Sequence, residues 1–455
     1  MTRLKMKTQF AELLLAERAV PRYTSYPTAP HFNQTVNAAV ARHWLTELPA
    51  ASSLSLYLHV PFCSAICSYC GCHTKAVHRR EPLDHYAATL AREVELWAEA
   101  TPAHKVWHLH WGGGTPSLLG PANLCRIAKR LRDCFDLDDL DEYAIELDPR
   151  SVDRELVEAL ASMGVSRASL GVQDVNAHVQ EAIGRIQPET VVERAVQLLR
   201  EVGIAAINLD LMYGLPHQTI DDVRRTCEFA ISLSPARLAA FGYAHVPWMK
   251  THQRLIDAAT LPGAAARLAH IEAARSFIEG AGYVTIGLDH FARPDDALAI
   301  VAANGTLRRN FQGYTIDKAD ALLPIGGSSV GKLPQGYLQN ASDVAGWRRA
   351  IDAGQFAVTR GAGLSADDRL RAAVIERLMC NFTVDYASMS KALAGDEVAL
   401  DSAAAELDAL ARQGILTHSK RIVCMTPEGR PLVRLAAAAF DVYLCRGAAR
   451  HSIAV

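Results

Sequence analysis

His59-Val60-Pro61-Phe62-Cys63-Ser64-Ala65-Ile66-Cys67-Ser68-Tyr69-Cys70-Gly71-Cys72 is the stretch from which the fold is read. Four of the chain's ten cysteines fall within it, the first three spaced Cys-x3-Cys-x2-Cys. Directly before it runs Leu54-Ser55-Leu56-Tyr57-Leu58, apolar and rich in β formers, which reads as a strand. A thiolate-rich loop at a strand end suits a soft metal or an iron–sulfur cluster. Cluster sites usually carry four cysteine ligands. If Cys63, Cys67 and Cys70 alone bind, one iron of a four-iron cluster stays open for chemistry. A structural zinc is the alternative, since Cys-x2-Cys pairs recur in such sites and His73 is adjacent, but no second, separated pair follows. Four unreacted thiols this close are hard to place in a core. A disulfide framework is foreign to a long chain without a secretory pattern.

Outward from the loop, strands and helices alternate between about residues 54 and 290. Strand patterns fall at 54–60, 106–111, 143–147, 167–172, 205–211, 237–244 and 283–288. Helical patterns fall at 84–100, 123–134, 153–163, 188–202, 220–232 and 264–279. Gly164, Gly203 and Gly282 each follow a helix, where left-handed caps are common. The alternation predicts βα units on a parallel sheet, as an open sheet or a closed barrel. Ligands of such sheets sit at the C-terminal strand ends, where the cysteine loop falls.

Polar groups recur at the other strand ends. Trp111-Gly112-Gly113-Gly114-Thr115-Pro116 follows the second strand; its glycines let backbone amides approach a carboxylate, or make only a tight turn. Glu146 lies in an apolar strand, where an acid needs a cationic partner or ligand hydroxyls. Gln173, Arg185, Asp210 and Ala244 stand near later strand ends. Singly each reads as structural or functional; their recurrence fits one pocket.

The flanks differ in character. Residues 1–50 hold a short helix pattern at 8–17 and the arm Pro21-Arg22-Tyr23-Thr24-Ser25-Tyr26-Pro27-Thr28-Ala29-Pro30, whose prolines keep it extended. Residues 287–340 are broken and polar, and read as loops rather than core strands, with Arg293, Arg308 and Arg309 as guanidinium groups of the kind that pair with carboxylates. From about 360 come helices at 367–380 and 401–413, a hairpin at 414–425 and a last helix to about Tyr443, a winged-helix-like order.

Cys63-x3-Cys67-x2-Cys70 resembles the signature of radical S-adenosylmethionine (SAM) enzymes. The longer form, with His59 to Phe62 before it and Gly71-Cys72 after it, resembles the oxygen-independent coproporphyrinogen III oxidase family, as do the arm and further segments along nearly the whole chain. The resemblance implies an α/β fold: an incomplete (β/α)6 radical SAM barrel at 51–290 after an N-terminal arm at 1–50. Active-site loops and a connector at 291–359 and a C-terminal, mostly helical, winged-helix-like domain at 360–455 would follow. It implies a [4Fe-4S] cluster on Cys63, Cys67 and Cys70 and two SAM molecules. Tyr57, Gly113, Glu146 and Val330 match positions contacting the first SAM; Tyr69, Gly114, Thr115, Gln173, Arg185, Asp210 and Ala244 match positions contacting the second. Tyr69 stands where the family often has phenylalanine, and Val330 where isoleucine is common; both swaps keep much of the apolar contact. Cys72 matches a position outside the cluster ligands and is a candidate for a role in catalysis.

The activity implied is oxidative decarboxylation of coproporphyrinogen III to protoporphyrinogen IX in haem biosynthesis, by a 5′-deoxyadenosyl radical made from SAM. An electron donor and acceptor, both unidentified, are required. A haem chaperone with the same cysteine signature is the nearest rival, and Gly71-Cys72 and the arm favour the oxidase. A winged-helix regulator with a cluster sensor is the rival from another class. The net charge of −2 argues against it and against nucleic-acid binding generally. With no apolar run of roughly 18–20 residues, no membrane span is expected. A cytoplasmic monomer is expected, with Cys125, Cys134, Cys227, Cys380, Cys424 and Cys445 as single thiols.

Overall fold

The computed structural model describes residues 15–444 and 453–454. Residues 8–14 of the expected first helix, and Cys445, lie outside the described residues; Leu15 and Ala16 are helical. Six strands follow one another as β1 (Leu54–Val60), β2 (Val106–Gly113), β3 (Glu142–Leu147), β4 (Arg167–Gln173), β5 (Ala206–Tyr213) and β6 (Arg237–Gly242). They lie side by side in that order, each parallel to the last. The helices Arg80–Ala100, Pro121–Cys134, Arg154–Met163, Glu189–Glu201 and Ile220–Ser232 fill the crossovers. β1 is buried at six of its seven residues, as expected of a strand covered on both faces. Local chemistry sets the helix ends. Thr219 and Asp222 form a reciprocal capping box at one start, and Gly164 closes another helix with a φ of 81°.

The sheet does not close. Its edges are extended by β7 (Val284–Ile286) and β8 (His290–Ala292) beyond β6, and by β9 (Ala321–Ile325), β10 (Val330–Leu333), β11 (Gly336–Asn340) and β12 (Val358–Gly363) beyond β1. The result is an open row of twelve strands around a partial barrel. This corrects the expectation that residues 287–340 are loops without core strands: His290–Ala292 lies in one edge of the sheet, residues 321–363 supply the other, and β9 pairs parallel with β1 from Leu54↔Ala321 to Leu58↔Ile325. A proline in a five-residue strand argued against β9. Pro324 is tolerated because the register pair with β10, Leu322↔Lys332, lies before it. Arg308–Asn310 and Gly313–Thr315 form a separate two-stranded ribbon.

Residues beyond 363 build a second core. It comprises the helices Ala366–Asn381, Tyr386–Ala394 and Ala404–Arg412 and a three-stranded sheet of Thr383–Asp385, Ile422–Met425 and Leu416–Ser419. The last helix is shorter than expected, Val433–Ala438. The arm belongs to this core: Val20, Tyr23 and Tyr26 are buried among its side chains. Tyr23 donates to Asp441, and Arg434 donates to the carbonyls of Val20 and Pro21. Among the described residues no helix is long and apolar enough to cross a membrane.

Candidate active site

β1 delivers the cysteine loop to the C-terminal edge of the sheet. The register His59↔Gly112 and Val60↔Gly113 sets the glycine loop of β2 directly beside it. Gly114 N donates to Val60 O at 2.8 Å, and Thr115 N donates to Phe62 O at 2.7 Å. A Cβ at Gly114 would lie 2.4 Å from Phe62 O, and one at Gly113 would lie 2.6 Å from the His59 ring; Gly113 also has a φ of +108°. These two positions therefore need glycine for approach and conformation. From the far side, His252 Nε2 meets Cys70 O at 2.7 Å, Gln253 Nε2 donates to Tyr69 O at 2.9 Å and Lys250 Nζ donates to Cys72 O at 2.9 Å.

Cys63, Cys67 and Cys70 face one cavity of about 310 Å³. Each sulfur meets a hydrogen-bond donor: Thr74 Oγ1 at 3.2 Å and Thr115 Oγ1 at 3.6 Å on Cys63, Arg185 Nη1 at 3.6 Å on Cys67, and Cys72 N at 3.4 Å on Cys70. Hydrogen bonding from the Cys72 side chain, foremost, brings the Cys70 thiol down to about 6 against its burial, while burial raises Cys63. Among the described residues no three His, Cys, Asp or Glu side chains group closely enough for a single metal ion.

The same cavity collects polar groups from the successive strand ends. Tyr69, Cys72, Gly113, Gly114, Thr115 and Glu146 line it, as do Gln173, Arg185, Asp210 and Ala244. Tyr57 and Val330 do not: the Tyr57 hydroxyl meets His59 Nδ1 at 3.1 Å, and Val330 packs beside Phe32 and Tyr337. Among the described residues Glu146 finds no lysine or arginine partner. Burial opposes its charge, but His110 Nε2 at 3.2 Å and Gly113 N at 3.1 Å hold its carboxyl below the usual range. Asp210 receives Ser169 Oγ at 2.9 Å and Asn208 Nδ2 at 2.8 Å, yet burial and the charge of Glu146 push it up to about 6. Gln173 sits at a register shift between β4 and β5 with a φ of 68°, the bulge turning its amide into the cavity wall. Arg185 is held by Asp148 at 3.3 Å and by Gly171 O at 2.8 Å.

Several residues here were not singled out from sequence. Asp148 stands two positions after Glu146 on the same side of the strand end, a period-2 signal that was available. Thr74, Ser169 and Phe241 carried no such signal, and neither did the clamp of Lys250, His252 and Gln253, whose partners in the cysteine loop are distant in sequence. The three arginines marked for carboxylates separate: Arg293 pairs with Asp295, Arg308 pairs with Glu376 on the outside, and Arg309 alone lines a second cavity adjoining the first.

Residues 57–230 match the Radical SAM superfamily and residues 364–432 the HemN C-terminal domain. The oxygen-independent coproporphyrinogen III oxidase of Bradyrhizobium diazoefficiens is 45% identical over 440 residues, covering 96% of this chain and 98% of that protein. Its counterpart in Paracoccus denitrificans is 41% identical, covering 99% and 100%. A solved structure of the coproporphyrinogen III oxidase HemN from Escherichia coli, described as a radical SAM enzyme, superimposes with a TM-score of 0.88 at 35% identity, covering 94% of this chain and all of that one. With an open mixed sheet whose central strands run parallel, a Cys-x3-Cys-x2-Cys loop at their C-terminal edge and relatives alike over nearly the full length, the chain belongs to the oxygen-independent coproporphyrinogen III oxidase family of the radical SAM superfamily.

Proposed function

We propose that the chain catalyses oxygen-independent oxidative decarboxylation of coproporphyrinogen III to protoporphyrinogen IX in haem biosynthesis, converting propionate side chains to vinyl groups. The observation that carries it is the convergence of three hydrogen-bonded cysteine sulfurs and a ring of strand-end polar groups on one cavity, in a chain 45% identical to such an oxidase.

The donor set fits a [4Fe-4S] cluster. The sulfurs of Cys63, Cys67 and Cys70 each meet a hydrogen-bond donor, as tuned thiolate ligands do, while no tighter grouping for one ion exists among the described residues. Bound together, the cluster and SAM supply one-electron cleavage to a carbon radical able to take hydrogen from an unactivated C–H bond. The protein's part is to bind, orient and shield. Glu146, kept ionised by His110, suits an ammonium group, and Gly113 beside it brings backbone close to the first SAM. Tyr57 acts through His59, whose buried imidazole is held neutral at about 4 and braces Gly113. Val330, on β10, packs beside Phe32 and Tyr337 outside the cavity wall. Asp210 and Gln173 offer acceptors to ligand hydroxyls, and Arg185 offers a guanidinium to a carboxylate; with Tyr69, Gly114, Thr115 and Ala244 they form the second SAM position. The backbone N–H of Cys72 donates to Cys70 Sγ, and the Cys72 thiol, on the wall shared by both cavities, would pass a proton there.

The reading extends to a cytoplasmic monomer served by an external electron donor and acceptor. The arm, the barrel and the C-terminal core of a single chain all reach the cavities, and the described cysteines are all free thiols, as a reducing compartment keeps them. The test is anaerobic turnover of the reconstituted protein with coproporphyrinogen III, SAM, a reductant and an acceptor. Protoporphyrinogen IX forms and is lost in Cys67→Ala. A fully loaded protein that makes no porphyrinogen product would overturn the reading.

A further inference from the structure

The second cavity holds about 600 Å³ and shares Arg22, Gly71, Cys72, Phe241, Gly242 and Ala244 with the first. Its walls come from the arm, the barrel mouth, the 309–313 ribbon and the C-terminal core. Among the described residues, five cationic side chains line it, Arg22, Lys250, Arg267, Arg309 and Arg434, against one carboxylate, Asp289. That carboxylate is already engaged by His290 Nδ1 at 2.8 Å. Like charges gathered away from bulk water are costly unless an anion answers them.

The five cations divide by what their donors touch. Arg434 spends its guanidinium on the carbonyls of Val20, Pro21, Ile453 and Ala454, a purely structural use. Arg267 donates to the carbonyls of Gly214 and Tyr243, and Lys250 to that of Cys72. Arg309 is different. Its guanidinium lies 4.4 Å over the Tyr314 ring and reaches Arg22 O at 3.4 Å through Nη2, while Nε and Nη1 are buried with no hydrogen-bond partner among the described residues. Arg22 donates through Nη2 to Gly242 O at 2.7 Å, at the junction of the two cavities. A buried guanidinium with idle N–H groups is the fork that a carboxylate fits in bidentate fashion. Val246, Met249, Leu288 and Phe311 give the same chamber apolar surface. Apolar walls with cations at the edge suit a flat macrocycle whose rim carries carboxylates.

We propose that this chamber recognises the substrate's non-reacting propionates, with Arg309 as the principal carboxylate receptor and Arg22 as the second. The reacting propionate then passes between Cys72 and Phe241 toward the cysteine loop. The assignment rests on the substrate class proposed above.

The test measures anaerobic binding of coproporphyrin III and of its tetramethyl ester, which lacks the carboxylates, to the holoenzyme and to Arg309→Gln, Arg22→Gln, Arg309→Lys and Arg293→Gln, together with KM and kcat for coproporphyrinogen III. Removing a charge-assisted pair weakens binding about 10- to 100-fold. The expected result is a loss of that size for the free acid in Arg309→Gln, a smaller loss in Arg22→Gln, partial rescue in Arg309→Lys and no change in the exposed control Arg293→Gln. Ester binding stays level across the set, which separates lost recognition from a misfolded chamber, and the loss falls mainly on KM. Wild-type turnover with free-acid affinity in both glutamine variants within twofold of wild type overturns the chamber assignment alone. A wild-type holoenzyme that neither binds coproporphyrin III nor turns over coproporphyrinogen III overturns the proposed function, and the chamber assignment with it.

Discussion

Gly114→Ala is the most exacting test of how the cysteine loop is held. The added methyl lies 2.4 Å from Phe62 O and 2.6 Å from Thr74 Oγ1. Phe62 O is backbone and already accepts Thr115 N at 2.7 Å, so it has no room to retreat without loosening that bond. Thr74 moves only by giving up its 3.2 Å contact to Cys63 Sγ. Forcing a methyl into packed surroundings costs about 1–3 kcal/mol, and losing one backbone hydrogen bond about 0.5–1.5 kcal/mol. The sum is about 2–4 kcal/mol, or a melting point lower by about 4–16 °C for a unit of 150–250 residues. Gly71→Ala is the control, because its Cβ meets nothing within 4 Å. Thermal melts of the apo chain, with iron per chain after reconstitution, give the answer. Gly114→Ala should melt lower and load less iron, and Gly71→Ala should match wild type in both. Equal melts and equal iron in the two variants would refute the claim that close backbone contact positions the loop.

Thr74→Val keeps the shape of the side chain but removes a donor from Cys63 Sγ, so the cluster potential should fall in a redox titration; an unchanged potential would leave Thr74 without a tuning role. Asp210, raised to about 6 mainly by burial, should bind hydroxyl-bearing SAM more tightly as pH rises through that value, and Asp210→Asn should flatten the curve in equilibrium binding. The same raised value means the folded state keeps a proton that the unfolded chain has lost, so stability from this group falls between about pH 4 and 6. Glu93, fully buried, accepts Gly326 N at 2.5 Å, Trp347 Nε1 at 2.9 Å and Asn340 Nδ2 at 2.7 Å; Glu93→Ala should cost about 3–5 kcal/mol in unfolding, and a loss under about 1 kcal/mol would show those donors find other partners.

The barrel strands and helices were legible because they are long and periodic, and helix Ile220–Ser232 falls where its pattern begins and ends. β9 escaped notice because a lone parallel strand returning to β1 is recognised by its neighbour, some 267 residues away, rather than by its own five residues. Its tie shows in Ser53 bonding to Asp320. Thr383–Asp385 and Tyr386–Ala394 were missed for a different reason: both are short, and the helix declares itself mainly through the Asp385 cap and Gly395. In the site, residues on strand ends were readable because strand ends converge by construction. The support of Cys70 by His252, and the meeting of Arg22 with Arg309, are set by how loops and arm fold back, and no spacing in the sequence records that.

The union of the arm with the last core has a consequence for how the molecule comes into being. Pro21 is translated early, but Arg434, which grips it, is 413 positions later. At about 5–20 residues per second, the arm waits roughly 20–80 s for its partner. β1 through β12 have all emerged before then, so the cysteine loop can be complete, and open to cluster delivery, while the arginine chamber still lacks its C-terminal wall. Synthesis itself therefore orders events: the metal site can be furnished through an open doorway, and the room that receives the tetrapyrrole is finished last.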